Sequence, residues 1–121
     1  MSPQSDSDVA ALIRRCYSTY ETRDRQTLEG LLSDDFTFSS PRDDHISKTR
    51  YFERCWPFSE HVRSFHIEKL FVQGEEAFVL YECKPTEGKP FRNTEFFKTA
   101  DGKVTAVEVY FGSPSDDVSP A

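Results

Sequence analysis

Residues 91–112, Phe-Arg-Asn-Thr-Glu-Phe-Phe-Lys-Thr-Ala-Asp-Gly-Lys-Val-Thr-Ala-Val-Glu-Val-Tyr-Phe-Gly, constrain this chain more than any other stretch. Two runs rich in Phe, Val, Thr and Tyr flank Asp101-Gly102. Those residue types suit a pleated, half-buried surface. Asp-Gly turns a hairpin because glycine takes positive φ without steric cost. The spacing therefore predicts two long paired strands, and the rest of the chain must cover the sheet that they complete.

Upstream, apolar residues first follow a helical period. Val9, Leu12, Ile13, Cys16, Tyr17 and Tyr20 make one stripe on a helix capped at Ser7 or Asp8 and running to about residue 22. A short helix is expected over about 25–32, a strand over 36–39 stopped by Pro41, and a turn-rich loop over 41–46. A third helix is expected over about 47–55, ended by Pro57. Strands over 65–72 and 77–84 then precede the hairpin. Helices segregated before a run of strands mean an α+β fold. The expected form is a curved antiparallel or mixed sheet, a cone or half-barrel, with three N-terminal helices over its concave face. A ligand would sit between helices and sheet. The polar ends, 1–7 and 113–121, are expected to be disordered tails around one domain spanning 8–112.

Composition narrows the function classes. A net charge of −6 with no Lys/Arg cluster argues against nucleic acid as partner. No apolar run is long enough to span a membrane, and the N-terminus does not read as a signal peptide. Cys16, Cys55 and Cys83 are odd in number and widely spaced, so a reduced, cytoplasmic setting is expected. Aromatic residues make up 14% of the chain, and eleven are Phe. They can close a small core, or wall a cavity for a small hydrophobic ligand.

Several strings together carry a family resemblance. They are Tyr17-Ser18-Thr19-Tyr20, then Arg23-Asp24, the run 28–38, Phe96-Phe97-Lys98, Asp101-Gly102-Lys103-Val104 and Val109-Tyr110-Phe111-Gly112. In this order they resemble the SnoaL-like, ketosteroid-isomerase-like branch of the nuclear transport factor 2-like superfamily. The resemblance implies the cone fold and a homodimer packed through the outer sheet face. It also implies positions for the isomerase machinery, and this chain departs at each. Ser40 stands before Pro41 where the general-base Asp belongs, Cys16 stands at the helix-borne Tyr, and Thr94, with Glu95 beside it, at the protonated acid. The chain is therefore not expected to be a ketosteroid isomerase.

Three groups of residues remain as candidates. Tyr20, Tyr51, Trp56, Tyr81 and Thr94 can line a ligand pocket, or serve as core aromatics with polar tips outward. Asp44 can orient His45 as a general base, although Asp and His are also ordinary in exposed turns. A metal site through Asp43, His45, His61 and His66 lacks any spacing that would place two ligands on one element. On the penultimate strand, alternation places Arg92, Thr94 and Phe96 on one face and Asn93, Glu95 and Phe97 on the other. The resemblance turns Thr94 and Arg92 to the cavity. A one-residue difference in register turns Glu95 inward instead, as a candidate acid or base. No motif calls for a cofactor. The expectations are thus a small-molecule-binding domain or, alternatively, a cofactor-independent isomerase, dehydratase or cyclase acting on a hydrophobic carbonyl compound. A titratable group inside the cavity (His45, Glu95 or Glu108) favours the enzyme.

Overall fold

The computed structural model describes residues 5–114. Helix α1 runs Asp6–Thr22, α2 Arg25–Leu31 and α3 Lys48–Arg54. The strands are β1 Leu32–Ser40, β2 Asp43–Ser47, β3 Val62–Gln73, β4 Glu76–Pro85, β5 Phe91–Ala100 and β6 Lys103–Pro114. The strand order is β2-β1-β6-β5-β4-β3. β1 runs parallel to β6, and every other neighbouring pair is antiparallel. This is an α+β fold with a curved, mixed, open sheet.

Local chemistry explains where the helices begin. Ser5 caps α1 in a reciprocal box with Asp8, which satisfies backbone donors left free in the first turn. The helix thus takes in the last two residues of the expected N-terminal tail. Its buried side chains are the anticipated stripe of Val9, Leu12, Ile13, Cys16 and Tyr17, with Thr19. Asp24 caps α2 and Ser47 caps α3 through their side chains. The Glu21 carboxylate of α1 accepts the Phe65 N–H at 2.7 Å. That bond anchors the helix and covers a donor on the edge strand β3.

The hairpin forms as expected. Asp101 and Gly102 both take positive φ (52° and 77°), the geometry of a type I′ turn. Bulges between β3 and β4 and between β5 and β6 interrupt the register and bend the sheet. The concave face packs on the helices around Ile13, Leu28, Phe36, Val79 and Val104, all essentially buried.

Three expectations need correction. Residues 43–46, expected in a loop, are strand and form β2 with Ser47, folded back on β1 after a two-residue turn at Pro41-Arg42. Their polar sequence hides this, because an edge strand exposed to water has no apolar face to alternate. Pro57 does not end the helical stretch as expected: the chain continues through it as a 3₁₀ turn, Trp56–His61, in which proline sits in the first turn where no backbone donor is needed. The expected C-terminal tail gives its first two residues to β6; positions 115–121, like 1–4, lie outside the described residues.

Candidate functional site

A cavity of about 710 Å³ opens between the helices and the concave sheet. Its enclosed end carries Tyr17 from α1, Tyr81 from β4, and Asn93 and Glu95 from β5. Phe36, Phe38, Phe65 and Phe97 form apolar wall, while the exposed Arg42, Arg54, Phe58 and Phe111 lie at the mouth. Tyr20 and Tyr51 also line it, hydroxyl hydrogen-bonded to hydroxyl.

Strand parity selects these groups. Across the sheet Val79, Glu95 and Val109 are register partners, as are Tyr81, Asn93 and Phe111. Asn93, Glu95 and Phe97 therefore face inward together. Thr94 and Arg92 lie on the opposite, convex face, against the orientation that the resemblance implied. Thr94 pairs with Leu80 and Tyr110 there, and Arg92 grips Glu68 through two bonds of 2.8 Å. Trp56 is behind the cavity wall, its ring 4.9 Å from that of Tyr20. Asp44 and His45 do bond, Oδ1 to Nδ1 at 2.6 Å, but with side chains 94% and 70% exposed and outside the cavity lining. His45 has a φ of 47° and its N–H donates to Ser39 Oγ, so the turn is held away from the site.

Glu95 sits in a directed hydrogen-bond chain. The Gly112 N–H can only donate, and it points at Asn93, 3.1 Å away. That fixes the Asn93 oxygen toward Gly112 and its NH₂ group toward the Tyr81 oxygen, also at 3.1 Å. The Tyr81 oxygen thus accepts, and its own proton turns to Glu95 Oε2 at 3.2 Å. Tyr17 closes the other side with a 2.6 Å bond to Oε1. Enclosure pushes the Glu95 carboxyl above its usual pKa, while the two tyrosine hydroxyls pull it back; enclosure wins. The same burial pushes the Tyr17 and Tyr81 hydroxyls well up, so both stay protonated as donors. Cys16, also in the lining, is pushed up to about 12 and Cys55 to about 11, so neither thiol is a ready nucleophile.

Sequence reasoning missed Tyr17 as a site residue, and missed Asn93, Arg42 and Arg54. Tyr17 was visible on the α1 stripe, and Asn93 two positions before Glu95 shares its face. Ser40 also lines the cavity and supplies a hydroxyl where the isomerase pattern has a carboxylate. Among the described residues no three of His, Cys, Asp and Glu converge as a metal site, and no helix is long and apolar enough to cross a membrane.

The SnoaL-like domain profile matches residues 13–107, from the middle of α1 into β6. The chain belongs to the SnoaL-like domain family. No functionally curated protein matches it in sequence. Among solved structures, an NTF2-like protein of unknown function from Cytophaga hutchinsonii is 20% identical, with a TM-score of 0.74 over 93% of this chain and 95% of that one. An LEH-like epoxide hydrolase from M. tuberculosis is 17% identical, with a TM-score of 0.72 over 88% and 84%. A de novo designed protein with a curved β-sheet scores 0.78 at 14% identity, over 90% and 88%. A structure described as an epoxide hydrolase and a designed scaffold thus both share this chain's fold, the scaffold with the higher score. The SnoaL-like fold supplies a cone, and the chemistry must come from the side chains inside it.

Proposed function

We propose that this SnoaL-like protein binds a small hydrophobic carbonyl or hydroxyl compound and moves a proton on it with Glu95. One observation carries the reading: a carboxyl group enclosed at the end of an aromatic cavity, with Tyr17 and Tyr81 bonded to its two oxygens. A carboxyl held above its ordinary pKa is a stronger base than a solvated carboxylate, which suits it to taking a proton from a bound substrate and giving it back. The tyrosine hydroxyls stabilise the carboxylate that takes a proton from the substrate and that is restored when the proton is given back. The Phe walls receive an apolar body and exclude water, and the cavity volume falls within the range of small-molecule sites. Isomerisation, dehydration and cyclisation all fit this machinery and need no cofactor. The absence of a second carboxylate at Ser40 favours a single proton donor-acceptor that both takes and returns the proton.

A homodimer through the convex face accompanies this reading. Phe71, Phe78 and Tyr110 are 68%, 50% and 53% exposed on that face, and Phe78 stacks on Phe96 with ring centres 4.7 Å apart. Such a patch favours cover by a second subunit.

The test is a thermal-shift screen of apolar carbonyl, hydroxyl and carboxylic acid compounds, followed by turnover of whatever binds. Glu95→Gln keeps the side-chain shape: its oxygen can accept from Tyr81 and its NH₂ can donate to Tyr17. Ligand binding should survive in this variant while turnover falls roughly 10²–10⁴-fold. Binding without turnover in the wild type would leave a binding domain, and no binding at all would remove the cavity reading.

A further inference from the structure

The cavity has guanidinium groups at its mouth and a carboxyl group at its enclosed end, and this difference determines how a ligand must enter. We propose that Arg42 and Arg54 form an anion-binding subsite at the mouth, and that the ligand is an apolar carboxylic acid. Its carboxylate stays at the mouth while an uncharged carbonyl or hydroxyl end reaches Glu95. The proposal rests on the cavity being the binding site, and it names the class of compound.

Arg42 occupies the turn between β1 and β2, where its N–H donates to Ser40 Oγ at 3.1 Å and fixes the turn. Its guanidinium lies 5.9 Å from the centre of the Phe111 ring, itself part of the cavity lining. Among the described residues no carboxylate comes within ion-pair distance of Arg42. Arg54, the last residue of α3, directs Nε to Asp43 Oδ1 at 2.6 Å. Asp43 is only 12% exposed in its side chain and so holds that guanidinium in place. A guanidinium presents five donors in a planar fork, and one carboxylate on Nε leaves the others for a ligand.

The charges do not cancel. Two guanidinium groups meet one carboxylate, which leaves the mouth positive on a chain whose net charge is −6. At the other end, a ligand carboxylate beside Glu95 would put two acidic groups together in an enclosed space, which like-charge repulsion disfavours. The reverse orientation is thus penalised at the bottom and rewarded at the top, so both terms select the same pose. A neutral ester of the same acid loses the reward and keeps only the apolar contacts.

The experiment titrates β-benzoylpropionate, 4-hydroxycinnamate and their methyl esters calorimetrically into the wild type, Arg42→Gln, Arg54→Gln and Glu95→Gln. The neutral members of the thermal-shift screen serve as references. Each acid should bind the wild type about tenfold more tightly than its ester, an advantage that shrinks between about 50 and about 200 mM salt. Arg42→Gln should cost the acids about five- to tenfold and leave the esters unchanged. Arg54→Gln should act likewise. It also strips Asp43 of its partner, so if it proves unstable Arg42→Gln decides alone. Acids no better than esters in the wild type, or Arg42→Gln weakening both alike, would overturn the subsite. If neutral compounds bind without any preference for acids, the subsite is wrong and the cavity reading stands; if nothing binds, both fall.

Discussion

Glu95 and Asp44 each lie 2.6 Å from a polar partner, Tyr17 Oη in one case and His45 Nδ1 in the other. From sequence, Asp44-His45 has the more familiar acid-base composition. The structure gives the two pairs different surroundings. Asp44 and His45 stand in water, where solvent screens their interaction and competes for each hydrogen bond. Glu95 is enclosed by tyrosines and phenylalanines, and that enclosure raises its pKa. The comparison teaches that a short distance between suitable side chains does not make a catalytic pair. The medium around them, and access for a substrate, decide.

Turnover breaks this comparison most forcefully. Once a substrate is found by the binding screen, Glu95→Gln should lose roughly 10²–10⁴ in kcat, while His45→Ala stays within about twofold of the wild type. A reversal of those two outcomes would move the chemistry to the surface turn.

The inner region also depends on a close backbone approach that the outer turn lacks. A Cβ at Gly112 would stand 2.2 Å from the Arg92 carbonyl oxygen, a backbone atom that cannot swing aside. Gly112→Ala must therefore push β6 off β5, with an expected loss of about 1–3 kcal/mol by urea denaturation. The same shift pulls the Gly112 N–H from Asn93 and frees Tyr81 to turn from Glu95. Gly30, on α2, has nothing within 4 Å of the equivalent Cβ, so Gly30→Ala should stabilise by about 0.5–1 kcal/mol and serves as the control. Equal effects at the two glycines would mean that the strands are not so tightly apposed.

Much of this architecture was legible because it rests on local chemistry. Asp101-Gly102 demands its turn wherever it occurs, and the spacing from Val9 to Tyr17 leaves α1 one face to bury. The inward set on β5 was not legible in the same way. Alternation divides Arg92, Thr94 and Phe96 from Asn93, Glu95 and Phe97 with certainty, but says nothing of which set faces the helices. Register shifts between Phe91 and Asn93 and between Lys98 and Thr99 then defeat any count carried in from either end of the strand. The resemblance to the isomerases pointed at Thr94, one residue off. Similarly, β2 was hidden because Asp43, Asp44 and His45 are polar on an edge, where pairing is dictated by the neighbouring backbone rather than by burial.

The smallest effect is on stability, and it sharpens the comparison between the two carboxylates. The unfolded chain releases the Glu95 proton near the ordinary carboxylate value of 4.5, whereas the folded chain holds it to higher pH. The folded state therefore binds more protons across that interval, and the slope of stability against pH is negative there. The contribution is fully present below 4.5 and is lost as pH rises through the folded pKa. Glu95→Gln has no proton to release, so its unfolding midpoint in urea should gain on the wild type as pH is raised from about 4 to about 8. Asp44→Asn, altered in a side chain that is 94% exposed, should track the wild type over the whole range to within about 0.5 kcal/mol. If the Glu95→Gln and wild-type curves run parallel instead, Glu95 is solvated like Asp44, and the distinction between an enclosed and an exposed carboxylate, on which the proposed chemistry depends, is lost.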